Sequence, residues 1–187
     1  MTTLGAAKCR KTGDIYYCSD SLTTVNNVRT SESVAGGKFI VGENCAVGFA
    51  GSISYKNAVE SEFSKKSAYF DVSDPYEFLE GFYEFLRSKE RFNFEKQVGS
   101  NDYINFNGIF LSPKGIFTIY GNFTYMEHDD FAFMGSGEEF AIGAFEALTR
   151  AEYGSAKECL EESVKIAAKF DSSSGGKLIT AKLCVDK

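Results

Sequence analysis

Histidine, proline and net positive charge are scarce in this 187-residue chain, and each scarcity removes a class of function. The single histidine, His128, lies between Glu127 and Asp129-Asp130. That excludes multi-histidine metal sites and leaves any Ser-His or Cys-His mechanism resting on one residue, expected to be solvated in a charged loop. A net charge of −6 and a pI near 5.0 argue against a nucleic-acid or anionic-membrane surface, since both need a basic field. No apolar run reaches the ~18 residues of a membrane span, and no basic stretch followed by an apolar one opens the chain, so a cytoplasmic protein is expected. The five cysteines, Cys9, Cys18, Cys45, Cys159 and Cys184, are odd in number, scattered and never spaced Cys-x-x-Cys. Reduced, mostly buried thiols are expected, with no metal and no cofactor.

What the chain has in quantity is core material. Hydrophobic residues make up 43%, with 18 Phe, 10 Tyr and only two prolines to interrupt them, which describes a folded domain rather than a disordered one. One domain over residues 1–187 would bury about 70% of the surface its unfolded chain exposes. Residues Thr2–Arg10 and Asp14–Asp20, joined by Lys11-Thr12-Gly13, read as a β-hairpin. Asp20 ends the apolar run Ile15-Tyr16-Tyr17-Cys18, where a carboxylate either points into a site or merely begins a polar turn. Ser21–Gly37 reads as a long connection, and Lys38–Val41 with Cys45–Gly51 as a second hairpin whose arms are apolar on both faces, hence covered on both. Ala46 and Ala50 in that hairpin could leave a roomy apolar pocket.

Helical spacing runs from Ser52 to Lys66 and again after Asp74-Pro75, where Asp74 is the N-cap and Glu77 its capping-box partner. Ser88–Asn101 reads as a charged loop. Strands follow at Tyr103–Leu111, Ile116–Tyr120, Phe123–Met126 and Phe131–Met134. Gly135-Ser136-Gly137-Glu138-Glu139 leads into a third helix, where Ser136 and Glu139 have capping-box spacing. A fourth helix spans about Ser155–Lys169, and Asp171-Ser172-Ser173-Ser174-Gly175-Gly176 precedes a last strand, Lys177–Cys184. Hairpin-rich sheets with two pairs of amphipathic helices give an α+β fold, two antiparallel sheets between helical layers.

The beginning of the chain, Met1-Thr2-Thr3-Leu4, carries a chemistry of its own. Removal of the initiator methionine would give Thr2 a free α-amine beside its hydroxyl, a nucleophile with a base built in. That amine has an unperturbed pKa of about 7.7–8, near working pH. With Met1 retained, Thr2 is acylated and this chemistry is blocked.

Taken together, Thr2-Thr3, Cys18-Ser19-Asp20, Gly36-Gly37-Lys38-Phe39-Ile40 with Val47-Gly48-Phe49-Ala50-Gly51, Gly135-Ser136-Gly137 and Asp171–Gly176 resemble the β-type proteasome subunits and the HslV peptidase, in order and over nearly the whole chain. The resemblance implies the four-layer αββα sandwich of the N-terminal-nucleophile hydrolases and a threonine peptidase working inside a self-assembled ring. It implies Thr2 as nucleophile, Lys38 beside it, Asp20 paired with Lys38, and Ser136, Asp171 and Ser174 as the network holding the amine. Gly48 would donate its N–H to the oxyanion and Thr24 would bind substrate backbone. The partners implied are further copies of the chain in one or more stacked rings, an ATP-dependent unfoldase, and unfolded protein as substrate. Two other functions fit the same fold: a non-catalytic ring subunit, and an amidohydrolase of small amides. Asp20 favours a charged Lys38, so Lys38 is expected to act electrostatically and the amine to be the general base.

Overall fold

The computed structural model describes residues 2–25, 28–30, 37–51, 53–63, 65, 70–88 and 106–185, with backbone only at 23–25, 28–30, 53–54 and 62. Met1, the expected loop beyond Ser88 and the start of the strand expected from Tyr103 lie outside that set.

The first hairpin forms as β1 (Thr3–Lys8) and β2 (Ile15–Asp20), with Gly13 taking the positive φ of 85° that its turn requires. They are the central pair of a four-stranded antiparallel sheet ordered β10-β1-β2-β11, completed by β10 (Phe131–Gly135) and β11 (Leu178–Leu183). A second antiparallel sheet has the order β5-β6-β7-β8-β9, from β5 (Phe39–Val41), β6 (Ala46–Gly51), β7 (Phe106–Ser112), β8 (Gly115–Tyr120) and β9 (Tyr125–His128). The connection expected from Ser21 contains a small ribbon, β3 (Thr23–Val25) paired with β4 (Val28–Thr30). Its β-branched runs on either side of Asn26-Asn27 explain it, a signal that the polar composition of the stretch conceals.

Among the described residues, four helices cover the sheets. The spacing from Ser52 gives α1 (Ile53–Ala58), which continues as a π-helical turn over Val59–Phe63 rather than as regular helix. The second helix, α2 (Pro75–Arg87), starts as its sequence requires: Asp74 accepts from the N–H groups of Tyr76 and Glu77, and Pro75 occupies the first turn. The last two are α3 (Glu138–Arg150) and α4 (Ala156–Phe170), the latter closed by a reciprocal Ser155–Glu158 capping box.

Three apolar clusters define the layers. Phe49, Phe63, Phe78, Phe82, Phe106 and Phe110 join the second sheet to α1 and α2. Leu4, Ile15, Phe39, Ala46, Ala50 and Met134 lie between the sheets, where the tilted rings of Tyr17 and Phe39 meet with centroids 4.7 Å apart. Phe133, Phe145, Cys159, Leu160 and Val164 join the first sheet to α3 and α4. The order is therefore helices, sheet, sheet, helices, the αββα arrangement expected. Ala46 and Ala50 belong to the packed inter-sheet core, so they do not open the apolar pocket that their size suggested. His128 also departs from expectation: it ends β9 half-buried, its Nε2 3.0 Å from Thr118 Oγ1, and burial holds its pKa below the ordinary value.

Phe78 is fully buried and touches the rings of Phe63, Phe70, Phe82 and Phe110. Phe78→Ala should destabilise the protein by about 3–5 kcal/mol through lost burial and the cavity left behind. Urea unfolding measures this, and a loss below about 1 kcal/mol would show that the aromatic cluster is not the core of that layer.

Candidate active site

Strand alternation sorts the two threonines. Leu4 faces the inter-sheet core, so Thr2 lies on that face, and Thr3 projects the other way, toward the helices. There Thr3 Oγ1 lies 2.7 Å from Ser174 Oγ, and a side chain at Gly137 would collide with it. Lys38, just before β5, belongs to the opposite sheet.

Asp20 ends β2 in the middle of the first sheet and is completely buried. Three donors from three parts of the chain satisfy it: Thr3 N–H at 2.8 Å and Lys38 Nζ at 2.7 Å on Oδ1, and Gly175 N–H at 3.0 Å on Oδ2. Of the two positions open to Asp20, site or turn, it takes the inward one. Ser19 Oγ also accepts the Lys38 N–H at 3.2 Å, tying the strand carrying the lysine to the strand carrying the aspartate. Burial depresses the Lys38 pKa, and the charge and hydrogen bond of Asp20 counter this only in part. Asp20 favours the charged form as expected, but burial is the larger effect and leaves Lys38 below the ordinary lysine value.

Beside this pair is a second polar group around Asp171, at the C-terminal end of α4. Ser136 Oγ donates to Asp171 Oδ2 at 2.5 Å and Ser174 Oγ donates to the same oxygen at 2.6 Å, while Ser173 N–H reaches Oδ1 at 3.0 Å. Burial alone would raise the Asp171 pKa, but these donors outweigh it and hold the carboxyl below its ordinary value. Thr2 N–H donates to Ser136 Oγ at 3.3 Å. The capping box read at Ser136 and Glu139 does not form: α3 has Gly137 as N-cap and no side-chain cap bond. The hydroxyl of Ser136 is committed to Asp171, and Glu138, not Glu139, reaches back to accept the N–H of Gly135 at 3.1 Å. Gly135 itself has φ of +112°, and a Cβ there would overlap Thr2 O, so the chain passes Thr2 only because this residue has no side chain.

The structure thus gathers Thr2, Asp20, Lys38, Ser136, Asp171 and Ser174 at one end of the sandwich. Two residues are placed differently. Phe49 N–H donates to Lys38 O at 3.2 Å, so in the alternating ladder the neighbouring Gly48 turns its N–H and C=O to β7. Gly48 O indeed lies where a Cβ on Gly108 would fall. The residue with its N–H on the β5 side, one step beyond the acceptor Lys38 O, is Gly51, exposed and with φ of +111°. Thr24 lies on β3, with its side chain outside the described residues. Thr3 and Gly175 are the members of this network that sequence reasoning missed, and Gly51 is the strand position it did not single out. The alternation after Thr2 would have pointed to Thr3, whereas Gly51 needs the strand register.

A cavity of about 760 Å³ opens at the far end of β1, lined by Lys8, Cys9, Phe131, Phe145, Thr149 and Cys159 among others, and shares no residue with this network. The five cysteines are free; burial raises the pKa of Cys18 to about 11 and that of Cys45 to about 12, which makes both inert thiols. Among the described residues no group of three His, Cys, Asp or Glu is placed to hold a metal ion, and no helix is long and apolar enough to cross a membrane.

The depressed Asp171 pKa sets a pH window. Its contribution to stability is fully present above the ordinary aspartate pKa of about 3.9 and is lost as pH falls through its lower folded value. Asp171→Asn should therefore flatten the fall of Tm between about pH 5 and pH 3 relative to the parent. Parallel melting curves of the two proteins over that range would refute the network if they kept the same separation.

No family model and no curated protein matches the sequence. Solved structures do match its fold. Thiobacillus denitrificans BPH superposes with a TM-score of 0.83 at 21% identity, over 99% of each chain. The same protein in complex with epoxomicin gives 0.82 at 22% identity over the whole of both chains. Eukaryotic HslV from Trypanosoma brucei gives 0.73 at 19% identity, over 97% of this chain and 98% of that one. From end to end, the chain has the four-layer αββα fold of these solved structures, Thiobacillus denitrificans BPH and Trypanosoma brucei HslV.

Proposed function

We propose that the chain is a threonine-type endopeptidase whose nucleophile is Thr2 after loss of Met1, hydrolysing peptide bonds of unfolded proteins inside a ring of its own copies. The observation that carries this reading is that Thr2 N meets Ser136, which is held by Asp171, at the same end of the sandwich as a buried Lys38–Asp20 pair. An ordinary N-terminal strand needs none of this. The match to a structure described as an epoxomicin complex supports it, because epoxomicin is bound by that protein.

In this mechanism the free amine takes the proton of Thr2 Oγ1 as the oxygen attacks the scissile carbonyl carbon. Lys38 favours the developing alkoxide, and the N–H of Gly51, on the open side of β6, is better placed than that of Gly48 to donate to the oxyanion. The C–N bond breaks as the ammonium returns its proton to the leaving amine. Water, deprotonated by the same amine, then hydrolyses the ester. An extended substrate would lie beside Gly51, ahead of the start of β5, with the backbone of Thr24 on its other side. Assembly into one or more stacked rings, an ATP-dependent unfoldase as partner and a cytoplasmic setting belong to the same proposal.

A peptide epoxyketone requires both the free amine and the hydroxyl of an N-terminal threonine. The intact mass should show loss of Met1 and one added inhibitor per chain, and no addition in Thr2→Ala. A mass that keeps Met1 and takes no inhibitor favours a non-catalytic ring subunit. A protein that takes the inhibitor yet cleaves small amides and no peptide is the amidohydrolase. For the oxyanion donor, Gly51→Ala, strained at that positive φ, should slow adduct formation at least about tenfold while the protein stays folded. An unchanged rate in that variant would return the oxyanion role to another N–H.

A further inference from the structure

The polar atoms around Thr2 form one circuit, and Thr3 enters it twice. Each hydroxyl has a single proton to donate, which fixes the direction of every bond. Ser174 commits its proton to Asp171 at 2.6 Å, so the 2.7 Å contact with Thr3 Oγ1 must be a bond in which Thr3 donates and Ser174 accepts. Ser136 is 2.5 Å from Asp171 Oδ2 and 3.5 Å from Thr2 O, so its proton also belongs to Asp171, and its oxygen is left to accept from Thr2 N. At its other end Thr3 donates its backbone N–H to Asp20 Oδ1, the oxygen that also holds Lys38. Thr3 is wholly buried, as are Asp20 and Ser174.

We propose that the Thr3 hydroxyl is a positioning group for the Thr2 α-amine, acting through Ser174, Asp171 and Ser136. This rests on the reading of Thr2 as nucleophile. With its side chain tied to Ser174 and its N–H tied to Asp20, Thr3 pins the peptide plane from which Thr2 projects. The amine is then held toward Ser136. By occupying Ser174 as an acceptor, Thr3 also stops that hydroxyl from turning away from Asp171. Loss of the hydroxyl would leave a buried acceptor unpaired and loosen the orientation of the amine, without touching the surface along which a peptide lies. The effect should therefore fall on the chemical step and not on binding.

The test is the kinetics of epoxyketone adduct formation by intact mass, which separates the limiting rate from the half-saturating concentration. Thr3→Val should lower the limiting rate about tenfold and leave the half-saturating concentration within about twofold, whereas Thr3→Ser, which restores the hydroxyl, should recover to within about threefold of the parent. Should the valine variant fail to fold, Thr3→Cys, of similar size with only a weak donor, should show the same slow rate. A valine or cysteine variant as fast as the parent would overturn the proposal and leave Thr2 as nucleophile. So would a serine variant as slow as the valine one, since the effect would then come from shape. A parent protein that loses Met1 and takes no adduct overturns the nucleophile, and this proposal with it.

Discussion

A carboxylate removed entirely from water must be satisfied on every side, and Asp20 sets the terms for the rest of this molecule. Its three donors come from β1, from the residue preceding β5 and from the loop after α4. The first lies in one sheet and the last precedes a strand of that sheet, while the second precedes a strand of the other, so the ion pair fixes where the two sheets lie relative to each other at this end. A buried pair of this kind adds little net stability, because the cost of taking two charges out of water offsets most of their attraction. What it secures is register: Lys38 is held at a defined height against the first residues of β1. Burial meanwhile keeps the lysine below its ordinary pKa, so a group that is cationic beside Asp20 is also poised closer to neutrality than a surface lysine.

The glycines of Gly135-Ser136-Gly137 follow from the same crowding. A side chain at 135 would meet the carbonyl of Thr2, and one at 137 would meet the hydroxyl of Thr3. Between them Ser136 is exposed and reaches Asp171 across the gap between β10 and α4. A segment that must come this close to the backbone of β1 can carry only one side chain, and the one it carries is the hydroxyl that accepts from Thr2 N.

Most of the architecture was legible because its signals are local. The Lys11-Thr12-Gly13 turn, the Asp74-Pro75 helix start and the periodicity after Ser155 each specify an element without help from its surroundings, and each formed with ends within two residues of those expected. The candidate site was legible as a set of residues through the resemblance, but its wiring was not. Ser136 satisfies a capping pattern on paper, and only the position of α4 shows that its proton goes to Asp171. Gly48 and Gly51 could not be separated because β6 is buried on both faces. An alternating strand would have revealed its register, but a strand apolar throughout has no sequence phase, and a slip of one residue reverses the direction of every N–H. Ala46 and Ala50 were misread for the same reason, as the walls of a pocket and not as filling between sheets.

The direction of the hydroxyl bonds bears on how an α-amine can act as a base beside an anion. Asp171 in direct contact with an amine would hold it as ammonium and remove the lone pair that the chemistry needs. Here Ser136 stands between them. Because its one proton is drawn to Asp171, Ser136 can only accept from the nitrogen and cannot donate to it. In the proposed peptidase, once Met1 is removed, the nitrogen would be oriented by one of its N–H bonds, leaving its lone pair to face the hydroxyl of its own residue. Two serines converging on the same carboxylate oxygen spread the negative charge into hydrogen bonds and keep the carboxyl ionised by donors other than the amine. On that proposal the anion would orient the base without neutralising it, a task that a network of hydroxyls around the start of β1 can perform and a carboxylate alone cannot.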